Sequence, residues 1–540
     1  MRKRGLIAFT ALLLLFGSIV LRVYQLTSSE LSQAAQQQST LTVTVANTRG
    51  TIYDCRMRPL VNEGLEYRAC IAPFPITTAM LSKTLEPSAW ADLNERLKLG
   101  KPVVTTLQTL LPPTEGISQF QVAKRYSGTL LAPHLLGYMD AEGTHGLTGV
   151  ELAFDEYLNS VGGSLSVTYS VDANGRPLQG VQPTFQNTLS NADAGVVLTL
   201  DADIQKLAEK AARSSISRGA IVIMEPSTGR ILAMVSLPDF QPDTVAECLE
   251  APYSPLLNRT MCNYNCGSIF KIVSCAAALE AGVSTDTTFT CTGSVKIGNV
   301  IFHCHNKLGH GTLDMKNAFA QSCNPYFIQL IQQVGAENMY AMATTMGYDR
   351  ALLLADGMKT ARAILPSLES LQLPAELANL SIGQGELMAT PIHVAQMVST
   401  VLNGGQLIRP TILKGYVDSA GVFTEAAVSP PQTAFSEEIA ATLREFLVYA
   451  VNHGTGTTAR PSHGGAGGKT GTAETGWVQN GESVVQSWYA GYYPEENPRY
   501  AIAVLAEDKD TTGARSAPLF KKLCDELYLL ELGRGEHPSS

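Results

Sequence analysis

Tyr264-Asn265-Cys266-Gly267-Ser268-Ile269-Phe270-Lys271 is the stretch on which the reading of this chain turns, because it sets a hydroxyl nucleophile three residues before an amine. The run that follows, Ile272-Val273-Ser274-Cys275-Ala276-Ala277-Ala278-Leu279-Glu280, is small and apolar, and Gly282 stands where such a helix would stop. Three positions along a helix place Ser268 and Lys271 on one face. Apolar surroundings would lower the pKa of Lys271, leaving part of the population neutral and able to take the hydroxyl proton of Ser268. Taken alone the pair is a weak signal, since a capping serine and a snorkelling lysine produce the same spacing.

The rest of the chain narrows the choice. Its 540 residues leave room for several domains with sizeable cores, and 45% hydrophobic with 16% charged residues is an ordinary globular composition. A formal net charge of -9, with no basic cluster beyond the N-terminus, argues against nucleic acid as a partner. Ten cysteines are too sparse for a disulfide scaffold. Met1-Arg2-Lys3-Arg4 precedes an uncharged, mostly apolar run from Gly5 to Leu21 that Val23, Tyr24 and Leu26 extend while Arg22 snorkels. No small-x-small cleavage site follows closely, so residues 1–26 read as a short cytoplasmic tail and an uncleaved transmembrane anchor. The positive flank stays inside and everything after the span lies outside.

Residues 27–40 are polar and Gln-rich, reading as a stalk helix or linker. Leu41 to Val45 alternates as a strand and runs into Arg49-Gly50-Thr51-Ile52-Tyr53-Asp54, a turn and a second strand. Helical patches are expected near 75–97 and 102–110, and again from Phe154 to Leu158. With few chemistry-bearing residues together, residues 27–195 read as a non-catalytic binding or spacer module. The texture changes near 196. Val197-Leu198-Thr199-Leu200 is a strand candidate, and Asp201 is placed to cap the helix behind it. Ala220 to Met224 and Ile231 to Val235 flank Pro226-Ser227-Thr228-Gly229 as a hairpin. A mainly helical middle, about 265–455, gives way to strands at 468–473, 487–493 and 500–505, and a last helix at 516–531. The expected class is α/β of the α+β kind, with residues 196–540 forming an antiparallel sheet flanked by helices and a helical subdomain.

Two more polar groups belong with Ser268 and Lys271. Gln321-Ser322-Cys323-Asn324-Pro325 reads as a turn between helices, with Asn324 as cap and Pro325 in the first turn. Ser322 and Asn324 can enter one cleft from it, although a plain helix corner gives the same pattern. Lys469-Thr470-Gly471-Thr472 sits on a strand whose glycines at 464, 465, 467, 468 and 471 leave the backbone bare. Such an edge can pair with an extended peptide while Lys469, Thr470 and Thr472 face an anionic group. An ordinary edge strand is the plainer reading, but it gives no reason for the lysine.

Ser268-x-x-Lys271, Ser322-x-Asn324 and Lys469-Thr470-Gly471, in this order, resemble the three active-site motifs of penicillin-binding proteins and serine β-lactamases. The likeness is narrower to the class B penicillin-binding proteins, the monofunctional peptidoglycan transpeptidases. The anchor, Arg49 to Asp54, His134 to Glu151, Thr228 to Met234, Asn258-Arg259 and Gly454-Thr455-Gly456 carry it over almost the whole chain. The chain departs from the family pattern at Cys266, where proline is common, and at Cys55-Arg56-Met57, where an aspartate-arginine-asparagine type of sequence is usual.

The resemblance implies acyl transfer. Ser268 would be the nucleophile, Lys271 its base, and Ser322, bridging toward Lys271 and Lys469, the relay to the leaving amine. Asn324 would bind the substrate backbone, Lys469, Thr470 and Thr472 the terminal carboxylate, and the N–H groups of Ser268 and Thr472 the oxyanion. Gly471 completes the substrate-binding stretch. Peptidoglycan stem peptides ending in D-Ala-D-Ala and β-lactams are the implied ligands. A polytopic SEDS-type membrane glycosyltransferase is the implied partner, and no cofactor or metal is implied. A D,D-carboxypeptidase or β-lactamase would carry the same motifs, and a catalytically silent scaffold is the remaining alternative. A β-lactam sensor would need a cytoplasmic signalling part that four residues do not supply.

Several residues stand outside this set. Cys291 and Cys304, beside His303, His305 and His310, suggest zinc, but their spacing matches no recognised structural pattern; a disulfide between the two and free thiols are the other readings. Cys262 and Cys266 are a second candidate pair. Cys323 is expected to point into the core, and His453 to end a helix before Gly454. Half of Trp488, Tyr489, Tyr492 and Tyr493 should face the core, and Glu474 and Trp477 are candidates for the rim of the cleft.

Overall fold

Alternating β-branched and small apolar residues build a five-stranded antiparallel sheet in the order Ile231–Leu237, Gly219–Met224, Tyr500–Ala506, Glu482–Tyr493, Gly467–Gln479. The computed structural model describes residues 2–27, 39–141, 143–189, 193–479, 482–507 and 515–535; the side chains of 474–484 are not described. Within these the chain forms two compact units. One comprises Met1–Gly50, Asn62–Arg125 and Val161–Asp193, the other Thr51–Val61, Tyr126–Ser160 and Ala194–Ser540.

In the larger unit the period of two sends each strand's residues to opposite sides of the sheet, and both sides are covered. Ile221, Ile223, Tyr489, Ile502 and Val504 pack against Ile204 and Ala208 of the helix Ala202–Arg213 and Phe520 and Leu523 of the helix Ser516–Arg534. Val222, Trp488, Ala490 and Ala503 face the other way, onto the almost wholly buried helix Pro391–Leu402 and the helical subdomain. Trp488, Tyr489, Tyr492 and Tyr493 are therefore all buried, not half of them. The Asp201 carboxylate caps its helix by accepting from the N–H groups of Asp203 and Ile204. The strand Gly467–Gln479 is the last in the sheet and offers its outer edge.

The smaller unit holds two three-stranded antiparallel sheets, centred on Gly163–Ser170 and Gly64–Ile71. Ala69 and Ile71 face Leu81 and Leu93 of the helices Pro75–Thr84 and Pro87–Leu97, while Cys70 turns toward Val122, Leu165 and Val167. The helix expected near 102–110 is instead the strand Val103–Leu107. Val103, Val104, Thr105 and Thr106 are β-branched, stiff in a helix and well packed on a pleated surface, and here they pair with Ile71 to Arg68. Arg2–Thr27 is one helix whose apolar stretch Lys3–Gln25 is long enough to cross a membrane, about 34 Å at the α-helical rise. Most of the proposed stalk, 28–38, lies outside the described residues.

Candidate active site

The nucleophile stretch is fixed by backbone before any side chain acts. Tyr264–Asn265 pairs with Met388–Ala389, and Trp488 Nε1 donates to Asn265 O at 2.8 Å. Gly267 has φ +58°, and a Cβ there would lie 2.5 Å from Thr472 O. Its N–H donates to Gly383 O at 2.8 Å, where a Cβ on Gly383 would meet Gly267 O at 2.0 Å. Only glycines permit these two approaches. A Cβ on Gly471 would likewise press Ile269 Cγ2 at 2.9 Å. The first and third motifs are thus in direct contact. Ser268 lies in a 3₁₀ turn, Gly267–Phe270, that feeds the helix Lys271–Glu280, a tighter start than the α-helical spacing predicts. Cys266 stands just before that turn, fully buried, its thiol pushed up to about 12 by burial.

Lys271 is completely buried, and its Nζ lies 3.0 Å from Ser268 Oγ, 2.8 Å from Ser322 O, 2.7 Å from Asn324 Oδ1 and 3.3 Å from Ser322 Oγ. The ammonium also sits 5.4 Å from the centre of the Phe327 ring. Burial lowers the Lys271 pKa to about 7. A neutral amine has two protons and one lone pair, and neither the Ser322 carbonyl nor the Asn324 amide oxygen can donate to that lone pair. Only the hydroxyls of Ser268 and Ser322 can. In its neutral form Lys271 is therefore oriented to accept a proton from a serine.

Ser322 follows the helix Met315–Ala320, which Asp314 caps by accepting from Asn317 N–H. The turn holds Ser322 at φ +54°, a conformation a non-glycine residue adopts only when its surroundings enforce it. The next helix starts at Asn324 with Pro325 in its first turn, but the cap position belongs to Cys323. Asn324 spends its side chain elsewhere, accepting from Lys271 and donating from Nδ2 to His303 O at 3.3 Å. Capping would have aimed that side chain back at the helix instead of into the cleft.

Lys469 is also fully buried, donates to Thr470 O at 3.0 Å and lies 5.8 Å from the Phe319 ring centre. Burial, with the neighbouring Lys271 charge adding to it, holds its pKa well below the usual lysine range. The bridge expected from Ser322 to Lys469 is absent among the described hydrogen bonds, in which the Ser322 hydroxyl and carbonyl both meet Lys271. Among the described residues neither buried amine has a carboxylate partner, and a substrate anion beside them would favour their protonated forms. Thr470 is half-buried and Thr472 exposed on the edge strand. Thr455, which the sequence offers only within the triplet Gly454-Thr455-Gly456 and without a role, has its hydroxyl 2.7 Å from that of Thr470 and donates its N–H to Ala320 O, tying the second motif to the third. Gly454 lies so close to Ala320, 2.3 Å from its carbonyl oxygen to where a Cβ would stand, that the triplet Gly454-Thr455-Gly456 was the available signal.

Arg259 and Tyr264 both donate to Glu507, at 2.9 and 2.8 Å, anchoring the approach to the nucleophile. All ten cysteines are free thiols, so neither candidate disulfide is formed. The side chains of Glu474 and Trp477 lie outside the described residues.

Residues 219–525 match the family model of the penicillin binding protein transpeptidase domain. The chain is 33% identical over 332 residues to the peptidoglycan D,D-transpeptidase PbpA of Mycolicibacterium smegmatis, a match covering 56% of this chain and 65% of that relative. To the stage V sporulation protein D of Bacillus subtilis it is 29% identical over 417 residues, covering 74% of this chain and 62% of the relative. The matches thus span a little under two thirds of these relatives' lengths. Among solved structures, penicillin binding protein 3 of Mycobacterium tuberculosis in complex with ampicillin superposes with a TM-score of 0.66 at 25% identity, covering 91% of this chain and 96% of that one.

Proposed function

The chain belongs to the penicillin-binding protein transpeptidase family, with class B-like relatives, and from that premise we propose that it is a serine-type D,D-transpeptidase that crosslinks peptidoglycan stem peptides. The observation that carries the proposal is the buried Lys271 amine 3.0 Å from Ser268 Oγ, with Ser322 and Asn324 around it.

In the first step Ser268 Oγ attacks the carbonyl of the penultimate D-alanine and its proton passes to neutral Lys271. The N–H groups of Ser268 and Thr472 hold the oxyanion. The carbon–nitrogen bond breaks, and the D-alanine amine leaves with a proton returned from Lys271 through the Ser322 hydroxyl. In the second step the amine of a neighbouring stem peptide attacks the ester, gives its proton to the same relay, and Ser268 leaves as the alcohol. Lys469, Thr470 and Thr472 bind the terminal carboxylate of the donor, Gly471 leaves room for its backbone along the strand edge, and Asn324 holds its amide. β-Lactams imitate the D-Ala-D-Ala end and leave Ser268 acylated.

Residues 1–26 then act as a single-pass anchor in the bacterial cell membrane with the N-terminus cytoplasmic. Residues 27–195 are a non-catalytic pedestal, and 196–540 the extracytoplasmic transpeptidase domain. A SEDS-type glycosyltransferase is the proposed partner within the membrane. The test is the intact mass of the full chain in detergent, followed for hours after adding penicillin. A long-lived adduct of one drug per chain is expected; rapid turnover to hydrolysed drug would mean a β-lactamase, and no adduct would leave only a scaffold.

A further inference from the structure

We propose that Cys291, Cys304, His310 and Cys323 form a tetrahedral site for a zinc-type divalent cation, and that this cation fixes the turn carrying Ser322 and Asn324. Three sulfurs and one imidazole nitrogen all lie within 4.8 Å of one another. His310 Nδ1 is 3.4 Å from Cys304 Sγ and 3.8 Å from Cys291 Sγ. Metal–sulfur bonds of about 2.3 Å and metal–nitrogen bonds of about 2.0–2.1 Å give a tetrahedron whose edges are about 3.6–3.8 Å, so the ligands need only small movements to close on an ion. The three cysteines are 2%, 3% and 0% exposed. Three thiolates and an imidazole suit zinc in chemistry and geometry, and binding would release three thiol protons.

The surrounding backbone is shaped for this. Cys291 ends the strand Phe289–Cys291, paired with Gly311–Leu313, and Cys304 follows the hairpin formed by Ser294–Ile297 and Val300–His303. Cys304 N–H donates to Gly293 O at 2.9 Å. A Cβ on Gly293 would lie 2.2 Å from Lys307 O, and one on Gly309 would lie 2.3 Å from Cys291 O, so two left-handed glycines let the loops interlock. Two-stranded ladders are marginal in water by themselves, and while Val295, Ile297, Phe302 and Leu313 pack against the helical subdomain, Val300 and Ile301 stay exposed. A metal would add a staple between the two ladders. A disulfide would join two of the four groups and leave a thiol and an imidazole converging on nothing.

The site reaches the proposed chemistry through two of its ligands, Cys323 and Cys304. Cys323 stands between Ser322 and Asn324, and the His303 carbonyl that Asn324 donates to is adjacent to Cys304. The ion would therefore hold the middle of the segment that orients Lys271 and the carbonyl that Asn324 contacts, making its four ligands positioning residues.

The metal claim stands without the acylation reading, whereas the effect on acylation rests on the function proposed above. The test uses the untagged full chain in detergent, its metal measured by elemental mass spectrometry. About one zinc per chain is expected, lost in Cys291→Ser and His310→Ala. Chelated wild-type protein given cobalt(II) should show sulfur-to-cobalt charge transfer and the visible bands of a tetrahedral ion, a readout independent of whether the variants fold. Chelation should slow penicillin acylation roughly 10- to 100-fold, and zinc should restore it. A disulfide within the four, or wild-type protein that takes up neither zinc nor cobalt, overturns the site. Metal binding with unchanged acylation overturns the clamp, and metal binding with no acylation in either state instead overturns the function.

Discussion

At the turn Ser322-Cys323-Asn324, neighbouring residues serve two clusters that are complete to different degrees. Ser322 and Asn324 face Lys271, whose buried amine finds four oxygen atoms within 3.3 Å. Cys323 faces Cys291, Cys304 and His310, four soft donors gathered at one point. The first cluster is satisfied by its own members and stands preorganised, since each polar group has an acceptor or donor in place. The second gathers three thiols and an imidazole that the proposed cation would bind together. Chemistry and support are thus separated within three consecutive residues, and the strained φ of Ser322 lies at their junction.

The sharpest way to break the first half of that comparison is Ser268→Ala. Labelling by a fluorescent penicillin should fall by at least about 10⁴-fold, with thermal unfolding shifted by no more than about 0.5 kcal/mol, because Ser268 is half-buried and Lys271 keeps its three other oxygen partners. Labelling at the native rate would remove Ser268 from the centre of the cluster.

The pH profile of acylation comes next. With Lys271 lowered to about 7 by burial, it is protonated below that pH and neutral above it. Because the neutral form is the base, the rate should level off above pH 7 and fall about tenfold for each unit below it. A profile flat from pH 5 to 8 would show that this amine is not the base.

Preorganisation by backbone is probed by Gly267→Ala, which combines a left-handed φ with a Cβ 2.5 Å from Thr472 O. A stability loss of about 2 kcal/mol or more and an acylation rate about 100-fold lower are expected. Gly282→Ala is the control: φ is +77° but nothing lies within 4 Å, so stability should fall by about 1 kcal/mol with acylation unchanged. Equal effects of the two on acylation would mean that contact between the first and third motifs is irrelevant. The smallest effect belongs to Thr455→Val. Losing the 2.7 Å hydroxyl contact to Thr470 should cost about 1 kcal/mol, seen as a few-fold slower acylation.

Legibility in the sequence followed the range of the interactions. The hairpin at 219–237, the Asp201 cap and the edge position of Lys469 rest on spacings of a few residues or on strand alternation and have the expected form, and Ser268 meets Lys271 as the spacing implies, though from a 3₁₀ turn. The strand Val103–Leu107 was misread as helix because a short apolar patch has no decisive period, and its β-branched residues were the better guide. Asn324 was assigned as a cap because that is the commonest use of asparagine before a helix; a buried amine 53 positions earlier in the chain claims it instead. The thiol cluster was set aside on the spacing of Cys291 and Cys304 alone. Its fourth member, Cys323, is brought in by the helix corner of the second motif, a convergence that no local pattern encodes. The role of Thr455 escaped for the same reason, since its partner is on a strand beyond a glycine-rich turn.

The most direct measurement is the site of the penicilloyl group after trypsin digestion of the acylated full chain. The mass increase should fall on the peptide from Thr260 to Lys271, with fragmentation placing it on Ser268. An adduct on any other residue, or an adduct that persists in Ser268→Ala, would contradict the assignment of Ser268 as the nucleophile that Lys271 activates.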